Sequence, residues 1–235
     1  AAGSPQLSIS REELSSVVRQ ALVRNPKILD VFIGWEPNAF DGNDDLYKDQ
    51  ADAGYDNTGR FMPWWYRKPD GSPTVSPLEA SVMESEKLLP TGVAEGSFYL
   101  CPKRTKKVCV IDPAPYEVNG KMVLSASFNV PLIVDGKFLG VSGNDLAVDF
   151  IQSLLTQADK QLYDGAGEMA LFSANSSVVA FTKDASVLGQ QGSKILSADD
   201  LNDLKQLSGE QPFYKVDNSD GMIKVFQPFS IGDTG

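Results

Sequence analysis

Between residues 108 and 142 the chain reads as one strand after another. Runs at 108–112, 122–130 and 132–134 are strand-like, and Asp135-Gly136 is a tight-turn pair leading into a further run at 137–142. Two-residue turns join only antiparallel neighbours, so this stretch commits the chain to an antiparallel sheet. From Asn144 the period changes: Leu146, Phe150, Ile151, Leu154 and Leu155 form a helical stripe, which Asp164-Gly165-Ala166-Gly167 ends after about Leu162. Strands followed by helix predict an α+β fold.

Ahead of the sheet, Ser10 and Glu13 form a capping box before Leu14, Val17, Val18, Ala21 and Leu22, and Asn25-Pro26 stops that helix. Residues 27–35 read as a buried strand, and 36–57, rich in Asp, Asn and Gly, as a long loop. Residues 78–89 read as helix and 96–100 as extended. Beyond the stripe, 169–174 pairs with 178–182 across Asn175-Ser176-Ser177, Ser197 caps a helix to Leu207, and 213–216 pairs with 222–229 across 217–221. The expected organisation is an N-terminal helix (1–26) and two α+β units in series, 27–155 and 156–235. Ala1-Ala2-Gly3-Ser4 reads as an engineered scar and Asp233-Thr234-Gly235 as a turn-like end, the marks of a portion excised from a longer protein.

Composition narrows the chemistry. The chain has 235 residues, a net charge of −10 and no histidine. That removes Ser-His-Asp triads, Cys-His pairs and histidine metal sites, and the acidity disfavours nucleic acid. No EF-hand, P-loop or dinucleotide fingerprint occurs, so no metal or cofactor is expected. No run of about 18 apolar residues is present. Cys101 and Cys109 flank a basic segment that reads as a solvated hairpin tip, which predicts a disulfide across the hairpin and an oxidising compartment. The alternative is two unpaired small apolar residues.

Three groups of residues are candidates for chemistry. Phe61, Trp64, Trp65 and Tyr66 can wall a pocket for a planar ring or an ammonium group, or pack as a satellite core under the loop. In an extended segment Trp64 and Tyr66 share one face and Trp65 takes the other. Asp145 either caps the helix behind it or anchors a ligand. Glu36, Asp41, Asp44, Asp45, Glu84 and Glu86 offer carboxylates to a sugar-acting enzyme, but nothing singles out a pair.

The series 35–42, 59–67, 112–116, 131–140 and 141–146 resembles, in order, the double-Cache (dCache) sensor domains of bacterial chemoreceptors. The resemblance implies a long N-terminal helix, here clipped, and two Cache (PAS-like) modules. The membrane-distal module holds a small-molecule ligand and the membrane-proximal one is usually empty. It also implies a periplasmic location between two transmembrane helices, a homodimeric receptor and a methyl-accepting cytoplasmic region; a histidine kinase can carry the same sensor. Amino-acid-binding members resemble Arg-x-Trp-[Tyr/Phe] followed by a Tyr and a late Asp. Here Met62 stands where that Arg would, Asp145 matches the late Asp, and the Tyr falls within Asp112–Tyr116, near Ala114 or Tyr116. An ammonium anchor without a carboxylate anchor favours an amine or polyamine, with a purine or amino acid as alternatives; Arg60 or Arg67, turned inward, would restore the carboxylate grip.

Overall fold

The computed structural model describes residues 9–207, 211–217 and 221–230. Residues 1–4, read above as a scar, the centre of the expected 217–221 turn, and residues 233–235, read as a turn-like end, lie outside them. The fold is α+β. Helix α1 (Arg11–Arg24) starts on the Ser10–Glu13 capping box and is followed by β1 (Asp30–Trp35), β2 (Pro63–Arg67), β3 (Pro73–Pro77), α2 (Ala80–Met83), α3 (Ser97–Thr105), β4 (Cys109–Val118), β5 (Lys121–Val134), β6 (Lys137–Ala147) and α4 (Val148–Tyr163). The six strands form one antiparallel sheet in the order β3-β2-β1-β6-β5-β4. Beyond α4 come β7 (Ala170–Phe172) paired with β8 (Val178–Phe181), α5 (Ala198–Gln206) capped by Ser197, and β9 (Phe213–Val216) paired with β10 (Ile223–Phe226). Among the described residues these are two separate two-stranded sheets rather than one.

The central sheet is covered on both faces. On one, α1 sets Val18 and Leu22 against Val31 and Ile33, with Trp35 and Trp65 at the margin. On the other, α2 and α3 close a core of Phe32, Met62, Met83, Phe98, Tyr99, Ile111, Phe138 and Val141. The long loop contains two short 3-10 turns, Asp44–Tyr47 and Ala51–Ala53, and Arg11 fastens it to α1. The 3% exposed Arg11 side chain donates to Asp41 and Asp44 at 2.6 Å and to the Gly59 carbonyl at 2.9 Å, with the Tyr47 ring 4.2 Å away. Gly59 has φ +69°, and a Cβ there would stand 1.9 Å from the Asp44 carbonyl oxygen, so the loop closes only on glycine.

Four local expectations need correction. The helix expected at 78–89 is the four-residue α2, because the backbones of Ser85 and Lys87 bond the returning chain at Gly96 and Glu95. Residues 96–100 open α3 instead of forming a strand: Gly96, boxed against the carbonyls of Val82, Met83 and Ser85, receives the amides of Tyr99 and Leu100. The disulfide Cys101–Cys109 therefore ties a helix to the start of β4, with Cα atoms 6.2 Å apart, and does not cross a hairpin. Finally, β5 runs straight through Pro131. Pairing with β4 ends at Asn129, so on that side the missing N–H of Pro131 leaves no ladder bond unmade.

Two predictions follow from these ties. Titration of the unfolded, unreduced protein with a thiol reagent should find no free thiol, and replacing both cysteines by Ser should cost about 2–3 kcal/mol in a urea melt. Arg11→Met should cost about 3–5 kcal/mol, because it leaves the buried Asp44 carboxylate unpaired.

Candidate ligand-binding site

Strand parity builds the site. In β1, Val31 and Ile33 face α1, so Asp30, Phe32 and Gly34 face the other way. The register carries that division across the sheet: Asp30 lies opposite Tyr66 and Asp145, and Phe32 opposite Trp64 and Gly143. On β5, Ser127 pairs with Asp145, Asn129 with Gly143 and Ser125 with Ala147. Phe32, Ile111 and Val141 lie under α2 and α3. The other half of this face carries Trp64, Tyr66, Asp30, Asp145, Ser125 and Ser127.

A β-bulge adds Tyr116. Ile111 pairs with Ser127, but the next rung is Ala114 with Ser125, so two residues, Asp112 and Pro113, stand where a regular ladder has one. The extra residue inverts the parity of the rest of β4 and brings Ala114 and Tyr116 onto the Asp145 face. The Tyr116 hydroxyl donates to the Glu95 carbonyl at 3.4 Å, reaching the 85–96 loop that borders the site. Trp64 and Tyr66 stack with centroids 4.3 Å apart. A cleft of about 410 Å³ opens at the strand ends, lined by Leu29, Val118, Val123 and Ala147 together with Lys27, Arg67 and Lys121; neither acid lines it.

The electrostatics are unusual for an acidic chain. Asp30 is 1% and Asp145 8% exposed, and neither forms an ion pair among the described residues. Burial pushes the Asp145 carboxyl up to about 6, against the Ser127 hydrogen bond and the neighbouring Asp30. Burial, then the Asp145 charge, raises Asp30 well above the usual carboxylate range, with Trp64 acting against them. Tyr116 is raised by burial and by the charges of Asp145, Glu95 and Asp30. Ser127 Oγ donates to Asp145 Oδ1. Asp30 Oδ1, Ser125 Oγ and Asn129 Oδ1 are buried without a completed hydrogen bond among the described residues. Three such orphans on one face mark a place where polar partners are missing.

The structure sorts the candidate residues. Trp64, Tyr66, Ala114, Tyr116 and Asp145 share this face. Met62 shares its parity but is fully buried in the core beneath α2. Trp65 lies on the opposite face, where its indole donates to Ser15 Oγ at 2.9 Å and Arg19 lies over its ring. Phe61 also leaves the set, packing against Phe40 and Arg11. Asp112, in the bulge, accepts from Ser177 Oγ at 3.2 Å, away from the site. Asp145 is no helix cap: it lies within β6, and the N-cap of α4 is Ala147, with no side-chain capping hydrogen bond. Arg60 does turn inward and is 2% exposed, but neither arginine reaches the two acids. Arg67 bonds the carbonyls of Leu22, Asn25 and Ile28, and Arg60 bonds Glu84, Tyr99 and the Trp35 carbonyl. The six carboxylates available to a sugar-acting enzyme are all paired: Asp41 and Asp44 with Arg11, Asp45 with Lys48, Glu36 with Arg60 and Lys103, Glu84 with Arg60, and Glu86 with Arg104.

Sequence reasoning missed Asp30, Ser125, Ser127 and Asn129. The signals were present: one acid inside the apolar run 28–35, and polar residues at every second position of 125–129.

The raised carboxyls fix a pH dependence. A folded value above the unfolded one stabilises the fold below about pH 4, and that stability is lost as pH rises through about 6. The unliganded protein should lose roughly 1–2 kcal/mol between pH 5 and 7 from this pair. Thermal melts should show the slope in the wild type and a flat response in the Asp30→Asn/Asp145→Asn double variant.

No protein-family model matches the chain. Over 220 residues, 93% of this chain, it is 34% identical to the methyl-accepting chemotaxis protein TlpQ of Pseudomonas aeruginosa, and it spans 30% of that protein's length. The extracellular domain of the histidine kinase mmHK1S-Z2 matches with a TM-score of 0.67 and 23% identity, over 92% of this chain and 75% of that one. Methyl-accepting chemotaxis protein X matches at 0.66 and 19%, over 97% and 78%. The periplasmic sensory domain of the Campylobacter jejuni chemoreceptor Tlp1 matches at 0.61 and 13%, also over 97% and 78%. Among the described residues no helix is long and apolar enough to cross a membrane. The chain is thus homologous to a segment of a methyl-accepting chemotaxis protein and has the fold of the periplasmic and extracellular sensor domains of chemoreceptors and histidine kinases, in keeping with the Cache resemblance of its motifs.

Proposed function

We propose that this chain is the ligand-binding sensor portion of a periplasmic-facing chemoreceptor, that it is not an enzyme, and that its ligand is a small amine or polyamine. The ligand sits in the 27–155 unit and the 156–235 unit relays its presence. The complete receptor is a homodimer anchored in the membrane by segments outside this chain. The observation that carries the ligand class is a buried carboxylate pair, Asp30 and Asp145, on an aromatic face, with neither acid in an ion pair among the described residues.

A free amino acid fits this face poorly. Its carboxylate would be buried beside two acids, with Met62 where a guanidinium would be needed and both nearby arginines occupied. A neutral purine can stack on Trp64 and Tyr66 but leaves the carboxylates unpaired. A cationic amine answers both features, pairing with Asp145 and lying against the aromatic rings. The likeness to a histidine kinase sensor supports a second reading of the output domain only, with the same ligand face.

A thermal-shift screen over amines, amino acids and purines should single out amines; at about 100 times its dissociation constant a ligand adds ~2.7 kcal/mol. Calorimetry on Asp145→Asn with the best amine should show affinity reduced at least about 30-fold, roughly 2 kcal/mol. Unchanged affinity would remove Asp145 from the site and with it the case for an amine.

A further inference from the structure

Asp30 and Asp145 are cross-strand partners on the same face of adjacent strands, both buried, with carboxyls within hydrogen-bonding reach of each other. Two carboxylates so placed cannot both be ionised without a counter-charge, and two acceptors bond each other only if one holds a proton. Every element packed against the pair fails to supply a cation. β2 presents Trp64 and Tyr66, and β5 presents Ser125 and Ser127. β4 presents Tyr116, and the loop beyond it adds the acid Glu95. Two cations near the start of β1 are engaged elsewhere: Lys27 lies 5.1 Å from the Phe150 ring and Arg67 on backbone carbonyls. Among the described residues one oxygen of Asp30, Oδ1, has no hydrogen-bond partner.

We infer that Asp30 is a second ligand-binding carboxylate, that the empty site holds one proton between Asp30 and Asp145, and that a ligand with two ammonium groups displaces it. This rests on the amine reading and narrows it to doubly cationic amines. The balance is direct. The empty pair carries one proton and a charge of −1. A diammonium ligand brings +2, the shared proton leaves to solvent, and each carboxylate then faces one ammonium group in a neutral site. A monoammonium ligand neutralises the pair without displacing the proton. The inference thus separates two amine classes by proton count as well as by affinity.

The test compares 1,3-diaminopropane and 1,4-diaminobutane with 1-aminopropane and 1-aminobutane by calorimetry at pH 5, where the pair still holds its proton, in two buffers of different ionisation enthalpy. The diamines should bind at least about 10-fold tighter than the monoamines, and their apparent enthalpies should differ between buffers by close to one released proton per site. The monoamines should release none. In Asp30→Asn, diamine binding should lose its proton release and fall to within about 3-fold of the monoamine, while monoamine binding on Asp145 persists. Diamines that bind without proton release, or with an affinity Asp30→Asn does not change, would overturn the role of Asp30 and leave the amine reading standing. Failure of all four amines to bind would overturn both.

Discussion

The pairing of β1 with β6 governs the rest of the structure. The rungs from Asp30–Asp145 to Trp35–Gly140 place alternate residues of both strands on opposite faces. A slip of one residue would exchange those faces, sending Val31 and Ile33 away from α1 and the two acids toward it. The apolar contact with Val18 and Leu22 of α1 therefore fixes the register from one side, and that register brings two acids together on the other. Hydrophobic burial holds in place an electrostatic arrangement that would not form on its own account, since the acids repel and are desolvated.

The half of the face away from the acids is bound tightly. The Cys101–Cys109 disulfide joins α3 to β4, Arg60 links Glu84 beyond α2 with Tyr99 on α3, and Tyr99 reaches back to Glu36 after β1. The half that carries the acids has a looser border, the 85–96 loop, touching Tyr116 through a single 3.4 Å hydrogen bond. A rigid floor with a lightly held edge is a useful shape for a receptor, because a ligand can order the edge without breaking the core.

The antiparallel sheet, the first and fourth helices and the capping boxes were legible because each depends on local periodicity or on residues three apart. Cys101 and α3 were not. The Pro102 that suggested a turn sits inside a nine-residue helix, where the packing of Phe98 and Tyr99 outweighs its lost hydrogen bond. The aromatic cluster was legible as an alternation: Trp64 and Tyr66 do share a face, and Trp65 does not. Assigning all of them to one pocket ignored that alternation. Asp145 was picked out by its place ahead of the helix and left open between a cap and a ligand anchor; the length of β6 rules out the cap, and strand ends are a tertiary property. Asp30 escaped notice because an acid in an apolar strand shows its purpose only beside its partner.

The bulge in β4 links the site to the rest of the chain. By adding one residue it turns Tyr116 toward the acids, and within the same bulge Asp112 reaches Ser177, next to β8. A second contact runs in parallel: Thr91, in the loop that Tyr116 touches, lies with Leu124 against Gly189. Beyond them α4 exchanges two hydrogen bonds with β8, through Gln152 and the backbone of Phe181. The residues between β8 and α5 are therefore joined to the ligand face by the two features least constrained by the sheet, a bulge and a loop. Regular ladder hydrogen bonds resist displacement along the strand, whereas a bulge leaves one residue without a rung. In such an arrangement the sheet keeps its register while the β4 bulge and the bordering loop are free to respond to a ligand.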